Sequence, residues 1–198
     1  MVMTASNMME LGTQAADFSL KNTQGGVTSL ADYKEAKALV VLFICNHCPY
    51  VIHIAPKLAE LAKAYQAKGV EFVAINSNDA KAYPDDSFDK MIEEKQSRGY
   101  PFDYLVDEDQ SVAKAYDAAC TPDIYVFDQN QKLAYRGQFD ASRPFRISSG
   151  NYDSTKNPAS GEDLAYALDC ILAGKIIDKD QLASIGCNIK WKPGNEPT

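Results

Sequence analysis

The sequence lacks three features that mark large classes of protein: long apolar runs, clusters of basic residues and a dense set of cysteines. No apolar stretch among its 198 residues approaches the roughly 20 that cross a bilayer, so we expect no membrane partner. Its 20 basic and 27 acidic side chains give a net charge of −7 without any basic run, so nucleic acid is not expected as a partner either. Residues 1–14 hold neither a cationic nor an apolar segment, and we expect no signal peptide.

Cysteine is sparse and odd in number. The chain has five cysteines, a pattern that is typical of a reducing compartment, where a disulfide is catalytic rather than structural. The sequence therefore predicts a cytoplasmic protein. Its length fits one domain with additions, and no internal repeat is present.

Two of the five cysteines lie in the most informative stretch, Cys45-Asn46-His47-Cys48-Pro49. The apolar residues 38–44 before it predict a buried strand, and residues 51–67 after it carry the apolar stripe of an amphipathic helix. Two cysteines three apart at a strand-to-helix turn indicate a redox pair. The N-terminus of a helix favours negative charge, so a thiolate is stabilised at this place.

The remaining pattern predicts an α/β fold with a central mixed β-sheet flanked by helices. The cysteine turn would then lie at the C-terminal edge of a central strand, where such sheets usually carry their sites. We predict a loose N-terminus over residues 1–10, one domain over 11–175 with a polar loop insertion at 140–160, and a C-terminal tail at 176–198 packing on the domain. Further predicted elements are a hairpin around Gly25-Gly26, strands at 70–76 and 102–106, helices at 87–98, 110–118 and 161–173, a hairpin from strands 124–127 and 132–135, and a tail strand around 187–191.

Several short segments together resemble the thioredoxin superfamily, and within it the redoxin, or AhpC/TSA-like, branch. These segments are residues 16–20, the Gly25-Gly26 turn, residues 43–49, residues 73–76, Thr121-Pro122 with the strand that follows, and Tyr135-Arg136-Gly137. They cover about residues 11–140. The Cys-Asn-His-Cys-Pro-Tyr string and residues 185–194 are similar to a subgroup of bacterial thioredoxin-like proteins. The resemblance implies a thioredoxin-like fold with an N-terminal β-hairpin and a C-terminal tail extension.

The resemblance also implies roles for the two cysteines. In thioredoxin-like proteins the nucleophile follows a strand Phe by five residues and precedes a helix Pro by eight. Cys48 stands in that relation to Phe43 and Pro56. Cys45 falls where peroxiredoxins carry a Thr that hydrogen-bonds the reactive sulfur. Because Cys48 lies in the first helical turn, we expect it to have the lower pKa, and Cys45 at the strand end would be the resolving partner. The opposite assignment stays open, because Cys45 is formally the first cysteine of the pair.

Further site residues follow from the resemblance and from residue chemistry. Pro122 matches the superfamily's cis proline, which faces the active cysteine and lets a substrate backbone pair beside it. His47 either stabilises the thiolate and moves a proton or faces solvent. Cys187 is either a third, resolving thiol or a packed tail residue. Cys120 and Cys170 read as small buried residues.

Metal binding has one candidate set, Cys45, His47, Cys48 and His53. Three ligands within four residues at a tight turn cannot easily surround one tetrahedral ion, and no second ligand cluster follows. We therefore predict neither a metal nor an organic cofactor.

The sequence thus predicts a thiol–disulfide oxidoreductase that uses the Cys45/Cys48 pair, a protein or small-molecule disulfide as substrate and an external thiol reductant. One alternative is a thiol-dependent peroxidase, an antioxidant enzyme in which peroxide oxidises Cys48 to a sulfenic acid that Cys45 or Cys187 resolves. Arg136, Arg143 or Arg146 would then polarise the peroxide. The other alternative is a copper- or zinc-handling module on the same fold.

Overall fold

A computed structural model describes residues 3–197, in which strands and helices alternate as the apolar pattern predicts. The strands are β1 (Met3–Ala5), β2 (Ser19–Asn22), β3 (Val27–Ser29), β4 (Ala38–Phe43), β5 (Val70–Asn76), β6 (Asp103–Val106), β7 (Cys120–Thr121), β8 (Asp123–Asp128), β9 (Leu133–Arg136), β10 (Phe145–Ser148), β11 (Asn151–Asp153) and β12 (Ile185–Asn188). The helices are α1 (Pro49–Gln66), α2 (Phe88–Arg98), α3 (Ser111–Ala115) and α4 (Glu162–Leu172), with 3-10 turns at Leu30–Tyr33 and Pro84–Asp86.

A seven-stranded sheet forms the centre of the fold, with the strand order β3-β2-β6-β5-β4-β8-β9. All six residues of β4 are buried. This strand pairs in parallel with β5 and antiparallel with β8, so the sheet is mixed, as the sequence predicts. The N-terminal hairpin of β2 and β3 extends one edge. The predicted mixed α/β architecture is confirmed.

Apolar side chains cover both faces of this sheet, because successive residues of a strand point to opposite sides. Val40 and Leu42 of β4 join one buried cluster with Leu58 of α1. Val41, on the other face, packs in a second cluster with Tyr116, which follows α3. The sheet is therefore buried on both sides, and the carboxyl end of β4 is held rigidly where the cysteine turn begins.

Two segments that the sequence predicts to be irregular contain strands. The loose terminus predicted at 1–10 is wrong for Met3–Ala5, which pairs with β12 from the tail. Because β12 is remote in sequence, no local pattern predicts this pairing. Residues 1 and 2 of the predicted loose terminus lie outside the described part of the chain. The polar insertion at 140–160 contains the hairpin β10–β11, whose first strand is exposed along its whole length and so lacks alternating burial.

The C-terminal tail returns to the body of the protein through β12. This strand spans Ile185–Asn188, slightly earlier than the strand predicted around 187–191. It lies between β1 and β7 in a separate three-stranded sheet. Within residues 3–197, none of the helices has the length and apolar character that crossing a bilayer requires.

Candidate active site

The turn between β4 and α1 positions Cys48 at the start of the helix. After β4 the backbone N–H of Asn46 donates to the buried Asp86 carboxylate at 2.8 Å, which fixes the course of the turn. Cys48 is the residue immediately before α1, and Pro49 is the first helical residue. Proline suits this position because its fixed φ is helical and the N–H that it lacks would have no partner in the helix. The Cys48 sulfur therefore lies at the positive end of an 18-residue helix.

Three sulfur atoms meet beside the backbone of Thr121, and we call Cys45, Cys48 and Cys187 the thiol cluster. Cys48 Sγ lies 2.9 Å from Cys187 Sγ and 3.1 Å from the Thr121 carbonyl oxygen. Cys45 Sγ lies 3.4 Å from the Thr121 hydroxyl. The peptide bond between Thr121 and Pro122 is cis, as the resemblance implies. Cys48 is 0% exposed and the other two thiols are 1% exposed.

The thiol and hydroxyl neighbours of Cys48 favour its thiolate, whereas the Thr121 carbonyl oxygen accepts from its S–H and favours the thiol. Burial alone raises the pKa of the Cys48 thiol, but hydrogen bonds from Cys187, Cys45 and the Thr121 hydroxyl outweigh burial and hold this pKa well below its usual range. The pKa of Cys45 rises, first because its S–H bonds to Cys48 and then because it is buried. The pKa of Cys187 rises for the same two reasons. One thiolate with two protonated donors is the state that this arrangement stabilises.

His47 turns toward an acidic partner on the 3-10 turn before α2. Its Nδ1 lies 2.8 Å from Asp86 Oδ2, and its ring stacks on Tyr83 with centroids 5.9 Å apart. The hydrogen bond to Asp86 raises the pKa of His47. Burial raises the pKa of Asp86, but the bonds from His47 and Asn78 outweigh burial and lower it. His47 is thus held beside the thiol cluster as a group that is readily protonated.

Replacing Asp86 by asparagine should lower the pKa of His47, because the neutral amide removes the charge that stabilises the imidazolium. The measurement is an NMR titration of the two histidine rings in the wild type and in the Asp86→Asn variant. Asp85→Asn, at the neighbouring position, serves as the control, and its His47 should titrate as in the wild type. An unchanged His47 titration in Asp86→Asn would mean that the 2.8 Å contact carries no charge coupling.

The metal-ligating side chains that lie together differ from the candidate set that the sequence offers. Within the described residues, donor atoms of Cys45, His47 and Asp86 lie within 4.8 Å of one another. His53 lies elsewhere, with Nε2 2.9 Å from the Ser142 hydroxyl. Three such donors are fewer than a closed structural zinc site requires. The Asp86 carboxylate already accepts hydrogen bonds from other groups, including the Asn46 N–H, so an ion pair with His47 describes it better.

The three arginines considered for peroxide activation are engaged elsewhere. Arg136 donates to the Met9 carbonyl oxygen at 2.9 Å. Arg143 donates to Gln138 Oε1 at 2.7 Å. Arg146 belongs to the exposed strand β10. The hydrogen bonds of these three side chains thus go to groups outside the thiol cluster, although Arg143 lines a cavity beside Pro122.

The tail strand β12 packs directly on the site. Cys187 lies opposite Thr121, and Asn188 lies opposite Cys120, in an antiparallel pairing with β7. Gly186 approaches β7 so closely that a Cβ atom there would lie 1.9 Å from the Thr121 carbonyl oxygen. The sequence offers a third, resolving thiol at Cys187 as one of two interpretations. It does not reveal that Gly186 and Asp86 belong to the site.

Comparison with known proteins identifies the family. The sequence profile of the AhpC/TSA family matches residues 11–136. The chain belongs to the AhpC/TSA family. The thiol-disulfide oxidoreductase ResA of Geobacillus thermodenitrificans is 28% identical over 130 residues, which cover 66% of this chain and 70% of that protein. The predicted redoxin branch is therefore confirmed.

Solved structures place this AhpC/TSA family member in the thioredoxin-like fold. An uncharacterized conserved protein from Geobacillus kaustophilus shares 51% identity and a TM-score of 0.90 over 98% of both chains. A thiol:disulfide interchange protein of the thioredoxin family from Chlorobium tepidum is 17% identical, with a TM-score of 0.60 over 82% of this chain and 98% of that chain. The segment that matches the AhpC/TSA profile contains Cys45, Cys48 and Pro122 but ends before β12, so the tail thiol lies outside it.

Proposed function

We propose that this chain is a thiol–disulfide oxidoreductase in which Cys48 is the nucleophile and Cys45 the resolving thiol. The Cys48 thiolate attacks one sulfur of a substrate disulfide and forms a mixed disulfide, and the other substrate sulfur leaves and takes up a proton. Cys45 then loses its proton and attacks Cys48 Sγ. The second substrate thiol is released, and Cys45 and Cys48, now oxidised by two electrons, form a disulfide. An external thiol reductant then reduces this disulfide back to two thiols.

The observation that carries this proposal is the unequal environment of the thiols around the cis-Pro122 loop. Cys48 has the lowered pKa and lies at a helix N-terminus, while Cys45 stays protonated next to it. A nucleophilic cysteine must be ionised, whereas a resolving cysteine stays protonated until the mixed disulfide has formed. The two protonation states therefore match the two roles. The name of the related oxidoreductase ResA supports the same chemistry.

We further propose that the protein works in the cytoplasm on disulfides of proteins, because reductants there keep cysteines as thiols and regenerate the pair. Peroxide reduction is the weaker candidate, since the hydrogen bonds of Arg136 and Arg143 within residues 3–197 go to groups such as Met9 and Gln138, and none goes to a cysteine of the thiol cluster.

Mapping the disulfide of the oxidised protein tests the proposal. We expect the reduced wild type to consume one equivalent of a peptide disulfide and to yield Cys45–Cys48 as the main product by mass spectrometry. Cys170→Ser, which alters a cysteine of α4 outside the thiol cluster, should behave identically. A main product that joins Cys48 to Cys187 would transfer the resolving role to the tail. Rapid consumption of peroxide without disulfide reduction would overturn the proposal in favour of a peroxidase.

A further inference from the structure

The tail strand β12 covers the atom on which the proposed reaction depends. Cys48 is 0% exposed, and Cys187 of β12 provides a sulfur only 2.9 Å from Cys48 Sγ. A disulfide bond joins two sulfurs about 2.05 Å apart, so the substrate sulfur must come closer to Cys48 than Cys187 now lies. With β12 in this position no external disulfide can do so. The strand must leave before the reaction starts.

The way β12 is held is compatible with its leaving. Only two of its residues pair with β7, and its other edge pairs with β1, which has three residues. Met3 of β1 is 69% exposed. The tail before β12 exposes Ile176 and Leu182, whereas Ile189 just after β12 is buried in the core. The two central residues of β12 are buried, but two short pairings hold this strand less firmly than the long strands of the central sheet are held. We therefore expect β1 and β12 to separate from β7 at lower free energy than global unfolding, while the buried end of the tail stays in place.

The contact between β12 and the cis-Pro122 loop restricts which side chain can stand at the position before the cysteine. A Cβ atom on Gly186 would lie 1.9 Å from the Thr121 carbonyl oxygen and 3.2 Å from Pro122 Cδ. Real Cβ atoms do not approach other atoms so closely, so the position immediately before Cys187 admits no side chain while the pairing is kept. At the next position, the sulfur of Cys187 points to Cys48.

We propose that β12 is a tethered substitute for the substrate, and that the substrate is an extended polypeptide in which glycine directly precedes the reacting cysteine. Such a segment takes the place of β12, pairs antiparallel with Thr121 and brings its sulfur to the position of Cys187 Sγ. This inference rests on the proposed function, because the incoming sulfur belongs to the disulfide that Cys48 attacks. The Cys48–substrate bond forms and the substrate S–S bond breaks, so the electron balance is that of the first step described above.

Two synthetic peptides test this glycine preference on the Cys45→Ser variant, in which the mixed disulfide on Cys48 is not resolved by Cys45. Ile-Gly-Cys-Asn and Ile-Ala-Cys-Asn are each supplied as the mixed disulfide with thionitrobenzoate, whose release gives the rate and whose peptide adduct on Cys48 is mapped by mass spectrometry. We expect the glycine peptide to react about tenfold faster or more, because the alanine methyl group overlaps the Thr121 carbonyl. Equal rates at Cys48 would overturn the substrate inference and leave the proposed function standing. No thionitrobenzoate release and no adduct on Cys48 with either peptide in Cys45→Ser would overturn the proposed function itself.

The substitution Gly186→Ala tests the covering role of β12. The added methyl group should detach β12 and raise the rate at which iodoacetamide alkylates Cys48 by about tenfold or more. Gly26→Ala is the matched control, because its new Cβ would lie 3.4 Å from the Asn22 side chain, an ordinary contact. An unchanged alkylation rate in a folded Gly186→Ala protein would overturn the inference. Should that variant not fold, the peptide pair decides the question alone.

Discussion

Replacing Cys48 by serine should lower the rate of disulfide reduction by about 10³-fold or more, because a serine hydroxyl does not ionise near neutral pH and cannot attack sulfur. Cys45→Ser should differ in kind: the first attack proceeds, and the mixed disulfide on Cys48 accumulates because the resolving thiol is gone. Stopped-flow measurement of product thiol, with mass spectrometry of the intact chain, separates the two results. Cys170→Ser again serves as the control for loss of a buried cysteine.

The ultraviolet absorbance of the thiolate gives a second readout of the same variants. In the wild type it should titrate well below the usual cysteine pKa of about 8.5, since the hydrogen bonds of Cys187 and Cys45 outweigh the burial of Cys48. This titration should disappear in Cys48→Ser and persist in Cys45→Ser. A low-pKa thiol that survives in Cys48→Ser would reverse the assignment and make Cys45 the nucleophile.

Replacing Asp140 by alanine should destabilise the fold by about 2–3 kcal/mol, because three backbone N–H groups, one of them buried and two partly buried, would lose their acceptor. Asp140 is 2% exposed. Its carboxylate accepts the N–H of Ser142 at 2.8 Å, of Ser160 at 2.7 Å and of Gly161 at 2.6 Å. It thereby joins the two ends of the insertion that contains β10 and β11. The measurement is urea unfolding of the variant and the wild type at neutral pH.

Asp153→Ala is the matched control for this prediction, since Asp153 lies on β11 and bonds only locally, to Thr155 among others. We expect it to change the free energy of unfolding by less than about 1 kcal/mol. A similar decrease in the free energy of unfolding in both variants would contradict the proposed role of Asp140 as an acceptor that joins the two ends of the insertion.

Acid should reduce the contribution of Asp140. Burial raises the pKa of its carboxyl, but the hydrogen bonds from Gly161 and Ser142 outweigh burial and lower it. A carboxyl whose folded-state pKa is lowered stabilises the fold fully above its unfolded pKa of about 3.9, and this stabilisation is lost as pH falls through the folded-state value. The difference in stability between wild type and Asp140→Ala should therefore shrink below about pH 4.

The sequence predicts those parts of the site that depend on neighbouring residues. The strand before Cys45, the helix after Cys48 and the order of the two cysteines all follow from patterns within about 30 residues. The partnership of Asp86 with His47 spans two elements, and its residue types are common on any surface. Nothing in the pattern around Asp86 therefore singles it out.

Pairing between remote strands is the part that the sequence does not predict. Residues Met3–Ala5, of which the two outer ones are exposed, form a strand through their pairing with β12. Gly186 reads as an ordinary flexible residue until the Thr121 carbonyl is placed against it. Such contacts depend on three-dimensional position rather than on periodicity, so they become visible only in the folded chain.

The contact between Cys48 and Cys187 can form only late in the synthesis of the chain. The two residues are 139 positions apart, so at ~5–20 residues per second a ribosome needs roughly 7–28 s to travel from one to the other. During this interval Cys48 has neither the cover that β12 gives nor the S–H group of Cys187 that lowers its pKa. The nascent chain therefore gains its most acidic thiol and the shield over that thiol in the same event, when its last strand is added.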